Sequence, residues 1–280
     1  MPFKFFTFLL CLFFCNNTFA QKEVPKKPFV IGEIVELQSD ILNEKRTLNI
    51  YLPEGYHPDS AATYSVIYLL DGSADEDFIH IAGMVQFANF PWVELLPKSI
   101  VVGIANVDRK RDFTYPTLVT EIKEAFPTSG KSVNFINFLS KELQPFIDKN
   151  YKTNSTKLLL GQSLGGLVAT EILFKQPDLF SHYIIISPSL WWDDQTLLKV
   201  EPVFLKPDFQ KELSIFIGVG NEDKYKVMET DARALFTILE KEKKENVKTH
   251  FQFFENLTHG DILHLAVYEA FKVLFKKEEK

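Results

Sequence analysis

A serine flanked by glycines carries the most specific chemical signal in the chain. Gly161 and Gly165 lie two residues before and two residues after Ser163, and the apolar segment Lys157–Leu160 precedes the motif. A predicted strand before this motif and a predicted helix after it are typical of the sharp turn that exposes a nucleophilic serine above a sheet. We therefore predict that Ser163 is a nucleophile and that the backbone N–H of Leu164, at the positive end of the helix, stabilises an oxyanion. The alternative is a structural glycine-rich turn.

A serine nucleophile needs a general base, and the chain has six histidines. His259 follows the serine and lies in a short loop between the last predicted strand and the last predicted helix, where this kind of sheet places its base. His264, by contrast, falls inside a predicted helix. The pattern therefore favours His259 as the base, and a histidine that caps a helix is the alternative.

An acidic loop after the penultimate predicted strand offers the group that would orient this base. Asp223 is the favoured acid and its neighbour Glu222 is the alternative, because a shift of one residue redirects a side chain. Either acid could instead cap the helix that follows. A second oxyanion donor is expected in the loop after the third predicted strand, where the N–H of Ser73 follows Gly72.

Short apolar segments alternate with longer amphipathic ones, which predicts a mostly parallel sheet with helices on both faces. The later strands are almost continuously apolar, as strands buried on both faces are. The first two strands are predicted to form an antiparallel hairpin. Helical spacing of apolar residues occurs over 133–151, 164–175, 226–240 and 261–276. The eight predicted strands are Ile34–Leu37, Arg46–Leu52, Tyr64–Leu70, Ile100–Ile104, Lys157–Leu160, Tyr183–Ile186, Leu213–Gly218 and His250–Phe254.

The N-terminal segment, residues 1–20, has the layout of a secretory signal peptide. Lys4 precedes an apolar run over residues 5–15, and Ala20 is a small residue at the predicted cleavage site. The run is too short to cross a membrane as a helix. We therefore expect a secreted or periplasmic protein with no stable membrane span, whose residues 21–280 form one domain. An uncleaved anchor is the alternative.

The composition excludes several classes of function. Both cysteines, Cys11 and Cys15, lie in the predicted signal peptide, so the rest of the chain has no thiol nucleophile. The formal net charge is −6 and no stripe of Lys or Arg is present, which argues against binding to nucleic acid. No metal-ligand spacing, phosphate-binding loop or dinucleotide motif occurs, so we expect neither a metal nor a cofactor.

Four motifs, spread over most of the chain, resemble those of a known family. They are Tyr68–Gly72, Arg111–Thr117, Gly161–Gly166 and Ser187–Asp193. Together they are similar to the esterase-D-like α/β hydrolases, and in particular to the siderophore-esterase (enterobactin trilactone hydrolase) branch. The resemblance covers roughly residues 30–276 and implies the α/β-hydrolase fold.

The resemblance also implies which residues border the substrate. Arg111, Trp191 and Trp192 would line the cleft; the alternatives are a solvated turn for the arginine and packing for the two indoles. Gln162 departs from the family pattern, since many relatives have His there, and we expect the change to be tolerated because that side chain would point away from the chemistry. Some siderophore esterases manage with a Ser–His pair, which leaves the acid at 222–223 open.

These observations favour a carboxylic-ester hydrolase that works through an acyl-enzyme on Ser163, with a small-molecule ester as its partner. The resemblance suggests siderophore-type esters, such as catecholate trilactones. A carbohydrate esterase that removes feruloyl or acetyl groups is the alternative among enzymes. A binding protein that retains the fold without activity is the alternative from another class.

Overall fold

A computed structural model describes residues 25–222, 226–241 and 244–275 of the 280-residue chain. Residues 25–30 have no regular structure, and the compact unit begins at Ile31. The predicted signal peptide lies outside the described residues. No helix in the described ranges is both long enough and apolar enough to span a membrane.

The described residues form one eight-stranded sheet, and each predicted strand is present. The strand order is β1-β2-β4-β3-β5-β6-β7-β8. β1 and β2 are antiparallel to their neighbours, and all the other pairs are parallel. This is the α/β-hydrolase fold that the sequence predicts. The strands are β1 (Glu33–Ser39), β2 (Glu44–Tyr51), β3 (Tyr64–Leu69), β4 (Ser99–Ile104), β5 (Thr153–Gln162), β6 (His182–Ile186), β7 (Leu213–Gly220) and β8 (Val247–Phe254).

Helices cover both faces of this sheet. A single π-turn, Leu139–Leu143, joins two of them, so the segment predicted as one helix is nearly continuous. Short 3₁₀ turns occur at Pro177–Leu179, Thr196–Lys199 and Val203–Leu205. The helices are α1 (Phe78–Ala88), α2 (Arg109–Asp112), α3 (Thr120–Ala125), α4 (Ser132–Phe138), α5 (Gln144–Asn150), α6 (Leu164–Lys175), α7 (Val227–Glu240) and α8 (Ile262–Leu274).

Strands β3, β4 and β6 are almost continuously apolar because their alternate side chains enter two different cores. On β3, Val66 and Tyr68 pack into the core that contains α4, α5, α6 and α7. Ile67 and Leu69 alternate with them along the strand and pack into the core that contains α1 and α8. Each face of the sheet is therefore covered, and the loops that carry the predicted site residues emerge from the ends of buried strands.

A buried ion-pair cluster fixes α2, the short helix after β4. The guanidinium of Arg46 on β2 is almost fully buried, pairs with Asp112 and Glu44, and lies 5.6 Å from the centre of the Phe135 ring. Arg111 closes the cluster through both Glu44 and Asp112. Because charged groups so little exposed need their partners, the cluster ties the α2 loop to the sheet.

We expect Asp112→Ala to lower the free energy of unfolding by about 3 kcal/mol, since it leaves the buried Arg46 without one of its two carboxylates. Equilibrium unfolding in urea measures the change. The control is Lys45→Ala, which breaks an exposed pair with Glu36 and should cost less than about 1 kcal/mol. Equal losses in the two variants would contradict a structural role for the cluster.

Candidate active site

Ser163 occupies a left-handed turn between β5 and α6. Its backbone has φ 60° and ψ −120°, and its N–H donates to the carbonyl of Ile186 on the neighbouring strand (3.0 Å). A Cβ at Gly161 would lie 2.5 Å from the carbonyl oxygen of Gly165, so the turn requires a glycine there. The geometry is that of a nucleophile elbow, with the serine raised at the carboxyl edge of the sheet.

The two expected oxyanion donors lie on adjacent elements. Leu164 is the first residue of α6, and the N–H groups of a helix's first turn have no acceptor within the helix. Gly72 packs directly against the backbone of Gly103, and its N–H donates to the carbonyl of Ile104 (3.0 Å). Because the N–H of Gly72 is used in that bond, the N–H of the next residue, Ser73, is the expected donor from this loop to an oxyanion. Both assignments stay predictions.

His259 lies in the loop between β8 and α8, and its side chain is 42% exposed. Its Nδ1 is 2.7 Å from Oε2 of Glu222, whose side chain is almost fully buried. The other oxygen, Oε1, accepts from the hydroxyl of Ser187 and from the N–H of Gly220 (3.0 Å). Burial raises the pKa of Glu222, but the hydrogen bonds from His259, Ser187 and Gly220 outweigh it and hold this pKa below its usual value.

Glu222, the alternative of the sequence analysis, therefore fills the position against His259 that we expected of Asp223. Asp223 itself lies outside the described residues. The carboxylate of Glu222 contacts His259 through one oxygen and the loop N–H of Gly220 through the other. The spacing of the motif could not show this.

Ser163 and His259 line one open cleft of about 450 Å³. The hydroxyl of Ser163 lies 3.3 Å from the hydroxyl of Ser189, in the loop after β6. Three carboxylates and one guanidinium contribute to the walls. The other lining residues are Asp71, Glu76, Asp77, Arg109, Gln162 and Gly260.

The cation in this cleft is Arg109, whereas the sequence analysis expected Arg111. Arg111 donates to both oxygens of Glu44 (3.0 and 2.6 Å) and to Asp112 (2.7 Å) in the buried cluster, and these hydrogen bonds raise its pKa further. Arg109 instead donates to Asp71 through two nitrogens, at 2.6 and 2.9 Å. Two arginines separated by one residue on a short helix point in different directions, and the sequence lacks a signal to separate them.

The two tryptophans also differ from expectation. Trp192 is fully buried, and its indole N–H donates to the carbonyl of Tyr115 (2.9 Å), so it has no face to offer a substrate. It is a core residue, which corrects the predicted binding role. Trp191 is half-buried, with its ring centre 6.4 Å from that of Phe126. A binding role for Trp191 stays a prediction.

No group of three His, Cys, Asp or Glu side chains within the described ranges could hold a metal ion.

We expect Glu222→Gln to lower the turnover number for a chromogenic ester by about 10²- to 10⁴-fold, because the amide cannot stabilise an imidazolium at Nδ1. Steady-state kinetics measures the loss. The matched variant is Asp223→Asn, which changes the neighbouring acid and should leave turnover within about threefold of wild type. If Asp223→Asn lowered turnover more than Glu222→Gln does, Asp223 would be the acid that orients His259, as the sequence favours.

Comparisons with known proteins show the family to which the chain belongs. A family model described as "Putative esterase" matches residues 39–262. The ferri-bacillibactin esterase BesA of Bacillus subtilis is 28% identical over 247 residues, which cover 82% of this chain and 85% of that protein.

Solved structures are similar over most of their length as well. An IroE-like serine hydrolase from Shewanella oneidensis superposes with a TM-score of 0.79 at 32% identity, covering 88% of this chain and 80% of the other. The BES protein of Bacillus cereus gives a TM-score of 0.79 at 25% identity, covering 91% and 99%. The fold, the elbow and the matched model together place this chain in that esterase family.

Proposed function

We propose that the protein is a serine esterase that hydrolyses carboxylic esters through an acyl-enzyme on Ser163. The observation that carries the proposal is one cleft lined by both a serine in a strained strand-to-helix turn and a histidine bonded to a buried carboxylate. Together they are the parts from which a serine hydrolase is built.

In this mechanism Ser163 Oγ attacks the ester carbonyl carbon while Nε2 of His259 accepts its proton. Glu222 stabilises the imidazolium through Nδ1. The N–H groups of Leu164 and Ser73 bind the oxyanion of the tetrahedral intermediate. The intermediate collapses as His259 protonates the leaving alcohol, and water then attacks the acyl-serine by the same sequence of steps.

We propose siderophore-type esters as the substrate class. The named activity of the Bacillus subtilis relative, together with the motifs shared with siderophore esterases, supports this class. The N-terminal segment supports secretion of the enzyme, which would meet such esters outside the cytoplasm. A panel of a catecholate trilactone, feruloyl sugars and short aryl esters tests the class. The highest kcat/KM on the trilactone is expected, and the highest value on a feruloyl sugar would favour the carbohydrate esterase instead.

The charge of the cleft adds a preference within that class. Arg109 is engaged by Asp71, so Glu76 and Asp77 leave the walls with an excess of negative charge. Like charges repel across a cleft of this size. We therefore propose that a neutral ester is hydrolysed more efficiently than an anionic ester of similar shape.

We expect Ser163→Ala to abolish ester hydrolysis and labelling by a fluorophosphonate probe, because both reactions need the serine hydroxyl. Release of p-nitrophenol from an ester measures hydrolysis, and mass spectrometry of the modified peptide measures labelling. Ser129→Ala, a serine outside the cleft, is the control and should be labelled like wild type. Hydrolysis at wild-type rates by the Ser163 variant would refute the proposed nucleophile.

The cleft charge should also make substrate preference depend on pH. Burial, with the neighbouring carboxylates of Asp71 and Glu76, raises the pKa of Asp77 to about 6. Asp77 is therefore neutral below this pH and anionic above it. We expect the ratio of kcat/KM for p-nitrophenyl hexanoate to that for mono-p-nitrophenyl adipate to rise roughly fivefold as the pH increases through this pKa, the factor given by about 1 kcal/mol of screened repulsion.

A ratio of kcat/KM values cancels any pH dependence of the catalytic steps that both substrates share. Asp77→Asn should make the ratio independent of pH in this range. Asp75→Asn, an exposed acid of the same loop that does not line the cleft, should preserve the rise. A rise that persists in Asp77→Asn would assign the effect to another group.

A further inference from the structure

We infer that Gln162 is a positioning residue that sets the location of the base, His259, relative to the nucleophile. The inference rests on the proposed function. The side-chain amide of Gln162 donates to the backbone carbonyl of His259 at 2.6 Å. The sequence analysis expected this side chain to point away from the chemistry, whereas it lines the cleft and contacts the loop of the base.

Gln162 is itself firmly placed. It is the last residue of β5, is paired with Ile186 of β6 in the sheet and directly precedes Ser163. Its carbonyl accepts a hydrogen bond from Nη2 of Arg109 (3.2 Å). The backbone from which the amide extends is therefore fixed by the same elements that fix the nucleophile.

The loop of the base has other anchors, but they connect it elsewhere. The carbonyl of Leu257 accepts from the N–H of Asn221, after β7 (2.8 Å). The carboxylate of Asp261 accepts from the N–H and the hydroxyl of Thr258 (2.6 and 2.9 Å), within the loop. Among the described residues, the bond from Gln162 is the hydrogen bond that joins this loop to the nucleophile turn.

This connection matters because the side chain of the base is only partly covered by its neighbours. The side chain of His259 is 42% exposed, so hydrogen bonds contribute to its placement. Glu222 controls the direction of the ring through Nδ1, while Gln162 controls the distance of its backbone from Ser163. Proton transfer needs the base within hydrogen-bond reach of Oγ. Displacement of the base by about 1 Å can cost roughly 100-fold in rate without removing any reacting group.

The test is Gln162→Glu, which keeps the shape of the side chain but replaces the donor by an acceptor that faces a carbonyl. We expect kcat for p-nitrophenyl acetate to fall by about 10- to 100-fold, with KM and the melting temperature close to wild type. Gln162→His keeps a ring N–H donor and should retain kcat within about fivefold of wild type. The matched control is Gln144→Glu, because the amide of Gln144 also donates to a backbone carbonyl, that of Leu179, at a site remote from the cleft.

The outcomes separate this inference from the proposed function. If fluorophosphonate labels wild type at Ser163 but Gln162→Glu retains wild-type kcat, the positioning role is refuted and the esterase proposal stands. A fall in kcat that is accompanied by a clear fall in the melting temperature of Gln162→Glu would likewise refute the positioning role, since it indicates a purely structural residue. A wild-type protein that neither hydrolyses the ester nor reacts with the probe would refute the proposed function instead.

Discussion

The strained turn at Ser163 is the constraint on which the rest of the site depends. A serine with positive φ is unfavourable by about 1 to 3 kcal/mol and persists only where its surroundings hold it. Here β5 and β6 hold it from one side, through the bond from Ser163 N–H to Ile186, and α6 holds it from the other. The absence of a side chain at Gly161 is the local condition for that arrangement. The turn raises the hydroxyl out of the sheet, and each remaining part of the site is placed relative to it.

The parts meet because parallel strands end at the same edge. The loops after β3, β4, β5, β6, β7 and β8 all contribute a residue to the site or to its support, which is where open α/β sheets place their ligands. Hydrogen bonds between the loops then fix their relative positions. Arg109 joins the loop after β4 to Asp71, after β3, and Ser187, after β6, supports Glu222, after β7. The sheet sets the approximate location of each site loop. Side chains with no proposed part in the reaction, such as Arg109 and Ser187, then fix the loops relative to one another.

This division explains how much of the molecule could be predicted from its sequence. Burial on both faces makes strands such as β3, β4 and β6 almost continuously apolar, so these strands and their parallel arrangement follow from hydropathy. The antiparallel pairing of β1 with β2 follows instead from the short turn between them. Ser163 and His259 could be predicted as residues of one site because each lies at a strand end with a distinctive local context, and the structure places both in one cleft. Which of two neighbouring acids faces His259, and which of two arginines enters the cleft, depends on side-chain direction in irregular segments, which no periodicity encodes. The burial of Trp192 and the contact of Gln162 depend on partners distant in sequence, Tyr115 and His259.

In the proposed mechanism, the shape of the cleft affects the fate of the acyl group on Ser163. Because the cleft is open, bulk solvent reaches the region of Ser163 without any rearrangement of the chain. Water at its full concentration therefore competes with any alcohol that could accept the acyl group, which favours hydrolysis over transfer of the acyl group to an alcohol. When a cyclic ester acylates Ser163, the alcohol that leaves the carbonyl stays part of the same molecule, so the opened chain is released only when water hydrolyses the acyl bond. The open cleft then lets that chain dissociate after one cleavage and rebind in another orientation. For such an ester, the geometry favours stepwise release of partly opened products over complete breakdown in a single encounter.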